Sequence, residues 1–358
     1  MNTDALSRKL RVAVVGASGF TGKETLLWLG RHPNAEIVTV MSARPSEDPG
    51  AKSLLDRKDS SYAGAMREPD AIPYDPEGLR GLDCVFVCTP HERAAQIVPD
   101  FIDDVTTVID LSAGFRLKDP GAYETFYGFT HPSTQLLEDR VYGLCEWARA
   151  DLPGARLIAN PGCYVTSVLL PARALEEANL LDPSADIIAD CKSGVSGAGK
   201  GLTPATHFSS VHEDFRAYGV GTHRHEPEIR QELGSDRLFF TPHLLPVFRG
   251  ILSTLHIRPH LDVDHQRVRE VLTERYACDP FVVVHQDGEP LPCLSEVQRS
   301  NRCHLGVAQH GDRIVVVSCL DNLVKGAAGQ AIQNFNLAFE LDEEAGLVEG
   351  SFAPRGWR

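Results

Sequence analysis

Residues 11–15, RVAVV, are a short β-branched run that ends at Gly16, and KETLLWLGRH then places apolar residues at helical spacing. That pattern predicts a strand, a glycine turn and a helix. Further strand-like runs are EIVTVMS (36–42), DCVFVCTP (83–90) and TTVIDLS (106–112). Strands alternating with helical or loop segments predict a parallel, doubly wound α/β sheet. Residues 44–64, rich in Pro, Ser, Asp and Gly, read as a long loop.

After about residue 160 the texture changes. DIIADCKSGVSGAGKG is a strand running into a Gly/Ser-rich loop, and strand-like runs follow at ILSTLHIRP (251–259), FVVVHQ (281–286) and RIVVVSCL (313–320). HQRVREVLTERY reads as a helix between them. This predicts a second, α+β domain with a mostly antiparallel sheet. The tail VKGAAGQAIQNFNLAFEL (324–341) reads as a long helix, apolar at Ala328, Ile332, Phe335 and Phe339. The expected domains are 1–160, nucleotide-binding, and 161–322, catalytic and oligomerising. No internal repeat and no low-complexity linker interrupts them.

A chain of 358 residues has room for two cores, and its 42% hydrophobic content is ordinary for a globular protein. Lys+Arg 35 against Asp+Glu 49 leaves a net charge of −14, which argues against a nucleic-acid or anionic-membrane surface. A small anionic substrate stays open, because a local pocket can be positive on an acidic protein. The N-terminal text MNTDALSRKLRVAVVG has no apolar signal region, and no stretch approaches the roughly 18 apolar residues of a membrane span. Nine cysteines without a repeating frame or a C-x-x-C pair suggest a reduced, cytoplasmic protein.

Gly16, Gly19 and Gly22 form G-x-x-G-x-x-G after a strand and at the start of a helix. Backbone N–H groups at such a helix end point at an incoming phosphate, and glycine lets a diphosphate come close. The context is that of a Rossmann-type dinucleotide site; a tight turn without a ligand is the plainer alternative. At the end of the second strand an NAD-preferring site would offer Asp or Glu to the ribose. Here stand Ser42 and Arg44, and Arg44 could pair with a 2′-phosphate, which points to NADP(H).

In LIANPGCYVTS, Pro161 and Gly162 force a turn, and CYVTSVLLPARALEEA then reads as a helix kinked at Pro171. A thiol in the first helical turn sits at the positive end of the helix dipole, which favours the thiolate of Cys163. Cys84, Cys88, Cys191 and Cys319 lie in apolar strands, where a buried thiol is inert. Candidate bases are His223 and His225 in YGVGTHRHEPEI, a glycine loop before a helix that Pro227 could begin. A helix N-terminus keeps a histidine neutral and able to accept a proton. Which of the two does so is open. They could also be surface histidines, or metal ligands with Cys163 or with His207 and His212, but the spacing matches no common zinc pattern and no metal is expected. A nicotinamide plus a thiolate suggests reduction through a thioester.

These segments carry a resemblance. GASGFTG, VIDLSAGFRL, ANPGCYVTS, KSGVSGAGKG, YGVGTHRHEPEI, FTPHLLPVFRGILST and DNLVKGAAGQAIQNFNLAF run from the first strand to the last helix. Taken together, they resemble the N-acetyl-γ-glutamyl-phosphate reductases, an arginine-biosynthesis family related to the aspartate-semialdehyde dehydrogenases. The resemblance implies NADPH-dependent reduction of an acyl phosphate to the semialdehyde, with Cys163 as nucleophile and a histidine of the His223/His225 pair as acid/base. It implies that Gly16, Ser18, Gly19, Phe20, Thr21 and Gly22 hold the cofactor phosphates, with Ser42 and Arg44 near the 2′-phosphate. Ser193, Gly194, Asn322 and Lys325 would lie near the nicotinamide, and Ser112, Arg116, Asn160 and Lys192 would face the substrate. The helix at about 323–345 would pack back onto the nucleotide domain, and the chain would form dimers or tetramers. Gly114, Val165, Cys145 and Trp147 depart from the family text, which bears on the shape of the substrate pocket. The nearest rival is the lysine-pathway relative acting on a carrier-borne aminoadipyl phosphate. A catalytically silent NADP-binding regulator and a zinc-dependent hydrolase are rivals of other classes.

Overall fold

Near-continuous apolar runs build the first sheet. β1 (Leu10–Val15), β2 (Ala35–Met41), β3 (Cys84–Val87), β4 (Thr107–Asp110), β5 (Val141–Tyr142) and β6 (Leu157–Ala159) lie in the order β2-β1-β3-β4-β6-β5. Every pair is parallel. Parallel strands are covered on both faces, so Val12–Val15 and Cys84–Val87 are fully buried and show no alternation. The protein is described here by a computed structural model covering residues 8–43, 71–201 and 203–348. The loop expected over 44–64, and with it Arg44, lies outside these described residues.

The chain divides into two units, residues 1–161 with 328–358, and residues 162–327. The first unit contains the six-stranded sheet and a closing helix, Gly329–Ala338. Phe335 of that helix meets Phe86 and the ring of His32, and His32 Nε2 is 2.8 Å from Asn336 Oδ1. The tail does not run as one α-helix. Val324–Ala328 is a π-helical turn, and the α-helix proper follows it.

The second unit has a seven-stranded sheet of order β11-β12-β13-β10-β7-β9-β8. Its strands are β7 (Ile187–Gly194), β8 (Arg216–Ala217), β9 (Leu238–Leu245), β10 (Ile251–Ile257), β11 (Val282–Val284), β12 (Cys303–His310) and β13 (Arg313–Leu320). The pairs β7–β9 and β11–β12 are parallel and the rest antiparallel, so the sheet is mixed and mostly antiparallel. β10 alternates strictly, with Ile251, Ser253, Leu255 and Ile257 buried and the residues between them partly exposed. The helix Cys163–Glu177 lies on the buried face, where Ser167 Oγ is 2.7 Å from Ser253 Oγ. The helix His265–Arg275 packs beside it.

β9 and β12 lack a clear signature in the sequence. Pro242 interrupts the β9 text, and Gly306 interrupts that of β12. Gly306 is there for a steric reason: a Cβ at this position would lie 2.4 Å from Pro292 Cδ.

Candidate active site

Cys163 opens the helix Cys163–Glu177, and Gly162 is its N-cap in extended conformation (φ −69°, ψ 149°). Gly162 offers no side-chain cap to the N–H groups of the first turn, which carry the positive end of the helix dipole. Glu228, fully buried, accepts the Gly162 N–H at Oε1 over 2.9 Å and so fixes the turn before the cysteine. Gly326, in the π-helical turn, packs against the thiol-bearing carbon, and a Cβ there would lie 2.7 Å from Cys163 Cβ. None of the nine cysteines is in a disulfide. Burial pushes the Cys88 and Cys191 thiols up to about 12 and raises those of Cys84 and Cys319 as well. Cys84, Cys191 and Cys319 are buried in strands. Cys88, just past the end of β3, is partly exposed like Cys163, and its raised pKa sets it apart as an inert thiol.

The two histidines differ in their surroundings. The helix His225–Leu233 begins at His225 itself rather than at Pro227, so His225 is its first residue. A Cβ on Gly162 would lie 2.6 Å from His225 Nε2, which means the imidazole occupies that side-chain space beside Cys163. His223 instead sits among aromatic rings, 5.7 Å from Tyr164, 5.5 Å from Tyr218 and 5.4 Å from Phe240 between centroids. Its Nδ1 accepts the His225 backbone N–H over 3.1 Å. Burial, with the Arg224 charge beside it, pushes His223 down to about 4, so it is neutral near neutral pH. Tyr164 donates to the His243 carbonyl over 3.0 Å, and burial raises its phenol well above the ordinary value.

Other expected residues of this unit serve the loop after β7. Gly194 leaves no room for a side chain, since a Cβ would meet the Arg249 nitrogen and the Phe248 carbonyl at 2.8 Å. Asn322 donates to Ser196 Oγ (2.9 Å) and accepts the Gly250 N–H (2.7 Å), tying this loop to the turn before β10. Ser193 Oγ donates to the Gly194 carbonyl. Lys325 is fully buried with Nζ 5.9 Å from the Phe281 ring centre. Lys192 Nζ donates to the Asp190 carbonyl (2.8 Å) and to Thr254 Oγ1 (3.3 Å), and burial lowers its pKa.

In the first unit, the strand order reverses between β1 and β3, and the carboxyl ends of these strands are where open α/β sheets bind ligands. Gly16 sits at that point with φ +88°, and a Cβ would lie 2.7 Å from the Cys88 carbonyl. Gly22 is equally confined, 2.6 Å from the Gly16 oxygen. Gly19, the N-cap of Phe20–Leu29, has nothing closer than 4.0 Å. Packing therefore demands two of the three glycines, and the third leaves the helix N-terminus open to a ligand. This turn fits a dinucleotide diphosphate held by backbone N–H groups, with Ser18, Phe20 and Thr21 partly exposed around it. Ser42 directly follows β2 and is buried.

Ser112, Arg116 and Asn160 come together in this unit around Asp110. Ser112 Oγ donates to Asp110 Oδ2 and accepts the Gly114 N–H, each at 2.9 Å. Arg116 donates to the carbonyls of Asn160 (2.8 Å) and Leu111 (3.0 Å), and Asn160 Oδ1 accepts from Asn334 Nδ2 at 3.0 Å. Asp110, fully buried, has its pKa raised by desolvation despite the Ser112 hydrogen bonds and the Arg116 charge. Two of the departures from the family text, Cys145 and Gly114, also fall in this unit, whereas Val165 is buried in the helix Cys163–Glu177 of the other. Cys145 Sγ is 3.2 Å from Asn334 Oδ1, and Gly114 has room for a Cβ only 3.0 Å from the His91 carbonyl. Glu228, Gly326 and Asn334 are contributors that sequence reasoning missed. Glu228 was legible only as the residue three beyond His225 on one helix face.

A family profile described as semialdehyde dehydrogenase, NAD binding domain, matches residues 11–155, and one described as semialdehyde dehydrogenase, dimerisation domain, matches residues 163–322. N-acetyl-gamma-glutamyl-phosphate reductase of Magnetococcus marinus is 43% identical over 350 residues, covering 96% of this chain and 98% of that protein. The protein of the same name from Pseudomonas syringae is 44% identical, covering 96% and 100%. Among solved structures, aspartate semialdehyde dehydrogenase II of Vibrio cholerae, complexed with ASA, superposes with TM-score 0.64 at 17% identity, covering 92% of this chain and 98% of that one. Aspartate semialdehyde dehydrogenase with NADP from Candida albicans gives 0.63 at 16%, covering 93% and 99%. At these identities the structures establish the fold.

Proposed function

We propose a residue-level mechanism for a chain that belongs to the semialdehyde dehydrogenase family and, within it, to the N-acetyl-γ-glutamyl-phosphate reductases. Its activity is the reductive dephosphorylation of N-acetyl-γ-glutamyl phosphate to the semialdehyde, an oxidoreductase step of arginine biosynthesis. The names of the relatives favour this substrate over a carrier-borne aminoadipyl phosphate.

Cys163 Sγ attacks the acyl carbon, the C–O bond to phosphate breaks, and a thioester remains on the cysteine. His225 takes the thiol proton at Nε2 and returns a proton as the thiolate leaves the collapsing hemithioacetal. The observation that carries this reading is the closeness of His225 Nε2 to Gly162, the residue before the nucleophile. His223 holds its neighbour through Nδ1 and does not titrate near neutral pH, which suits a positioning residue. The backbone N–H groups that open the Cys163 helix stabilise the oxyanion. Glu228 keeps the preceding turn in place.

The reduced nicotinamide, when bound, supplies the hydride that converts the thioester into the aldehyde. The glycine turn 16–22 holds its diphosphate, Ser42 and Arg44 read the 2′-phosphate, and NADP(H) is the cofactor in this reading. Ser193, Gly194, Asn322 and Lys325 shape the nicotinamide end, and Ser112, Arg116, Asn160 and Lys192 support the substrate's anionic groups. The matched dimerisation domain points to a homo-oligomer, as dimer or tetramer in this reading. Among the described residues no helix is long and apolar enough to cross a membrane, and the enzyme works in the cytoplasm in this reading.

Steady-state assays with N-acetyl-γ-glutamyl phosphate and an aminoadipyl phosphate, each with NADPH and NADH, test it. The expected result is turnover of the acetylglutamyl substrate with NADPH preferred. Preference for the aminoadipyl substrate or for NADH overturns the corresponding assignment.

A further inference from the structure

We propose that His285, Glu296 and His304 form a binding site for a divalent cation of the zinc class. The three share no residue with the cysteine site. His285 follows the end of β11, Glu296 lies in the short helix Leu294–Val297, and His304 is in β12. One donor atom from each falls within 4.8 Å of the other two.

The geometry is prepared at each ligand. His285 Nδ1 is 2.8 Å from the Pro290 carbonyl, which can only accept, so the ring proton is on Nδ1 and Nε2 presents its lone pair. A backbone carbonyl that fixes the tautomer in this way is the usual support of a metal-bound histidine. His304 Nδ1–H then donates to that lone pair over 3.0 Å, a hydrogen bond that the ion would replace as the His304 proton moves to Nε2. Two nitrogens at about 2.0–2.1 Å from one tetrahedral zinc would be about 3.3 Å apart, so a small opening of this pair admits the ion. Glu296 Oε2 accepts the Cys293 N–H over 2.9 Å, which orients the carboxylate without help from a metal.

The backbone bearing these groups is held too. Gly306 lets Pro292 rest directly on β12, and Cys319 Sγ is 3.4 Å from the Pro292 carbonyl. The segment from residue 290 to the helix Leu294–Val297 therefore lies over the strand that carries His304. Two imidazoles and one carboxylate are a donor set for zinc, whereas magnesium and calcium call for oxygen ligands throughout. Glu296 is exposed, so water can fill the remaining position. The ion would clip the connection between β11 and β12 to the edge of the sheet.

Zinc titration of the full chain against a chromophoric chelator tests the site, in a Cys163→Ser background that removes the active-site thiol. One equivalent of zinc is expected, and cobalt in its place should show the intense visible bands of a four-coordinate ion. Glu296→Gln keeps an oxygen acceptor for the Cys293 N–H, and His304→Asn keeps the size of the ring's near half. Each should weaken zinc by more than the roughly 10–100-fold that loss of a supporting hydrogen bond costs. In the otherwise wild-type chain, both substitutions should leave reductase turnover intact, which reports folding. Absence of stoichiometric zinc binding overturns the proposal, and so does zinc affinity unchanged in both variants.

Discussion

His225 Nε2 occupies the space that a side chain on Gly162 would need, 2.6 Å from where its Cβ would stand. The glycine before the cysteine is therefore a receptacle for the imidazole as well as a helix cap. Gly162→Ala must displace His225 or Val165, whose Cγ2 would be 2.9 Å away. A misplacement of about 1 Å in a reacting group can cost roughly 100-fold in rate. The variant should fold, keep its NADPH affinity by fluorescence titration and lose about that factor in kcat. A kcat near wild type would mean that the position of His225 is immaterial.

The two histidines should separate in kinetics. His225→Asn is expected to lower kcat by roughly 10²–10⁴ and to remove one limb of its pH profile. His223→Asn retains an acceptor for the His225 N–H and should keep both limbs, with its main effect on KM. The opposite pattern would exchange their roles.

The apolar runs of β1, β3 and β4 with the glycine turn, and the alternation of β10, make much of both sheets legible in the sequence. By contrast, β9 and β12 are interrupted by Pro242 and Gly306. The cysteine stands out by its turn. The ranking of the histidines was hidden, because it depends on Gly162 and on the aromatic cage of Tyr164, Tyr218 and Phe240, which come from separate elements. Glu228 carries no signal of its own in the sequence, although it is fully buried and accepts a backbone N–H. The triad of His285, Glu296 and His304 was invisible for the same reason. Its members lie on a strand end, a one-turn helix and a strand, at spacings that match no common zinc pattern.

Cys163→Ser should abolish turnover while NADPH binding stays near normal, because the thioester needs sulfur and the cofactor does not. Residual activity above about one per cent would remove Cys163 as nucleophile. Cys278 and Cys293 are more exposed than Cys163 but lack a long helix behind them, while burial raises the thiols of Cys84, Cys88, Cys191 and Cys319. Iodoacetamide near pH 7 followed by peptide mass spectrometry should find Cys163 modified first. Faster labelling at Cys278 or Cys293 would count against activation by the helix N-terminus.

The three glycines of the first turn should respond differently to alanine. Gly22→Ala would bring a Cβ to 2.6 Å from the Gly16 oxygen and should lower the melting temperature sharply. Gly19→Ala meets nothing within 4 Å besides that same oxygen at 4.0 Å, so stability should barely change. Its methyl group would stand where a diphosphate approaches, and NADPH affinity should fall by about tenfold or more, near 1.4 kcal/mol. Unchanged affinity in a stable Gly19→Ala protein would move the diphosphate away from this turn.

His223 makes stability depend on acidity in a direction that can be worked out. Burial and the Arg224 charge hold its folded pKa at about 4, against 6.5 in the unfolded chain. Between those values the unfolded chain binds a proton that the folded chain does not, so unfolding becomes more favourable as pH falls. The contribution is fully present above pH 6.5 and is lost as pH drops toward 4, reaching about 3 kcal/mol. Other groups titrate in the same window, so the wild-type curve alone does not isolate it. The difference between wild type and His223→Asn does, because asparagine carries no titrating proton. Urea midpoints at a series of pH values should show wild type losing more stability than the variant on acidification, with the two slopes converging above pH 6.5. Parallel curves from pH 7 to pH 4 would show that His223 is protonated as readily in the folded protein as in the unfolded chain, and the neutral positioning role assigned to it would fall.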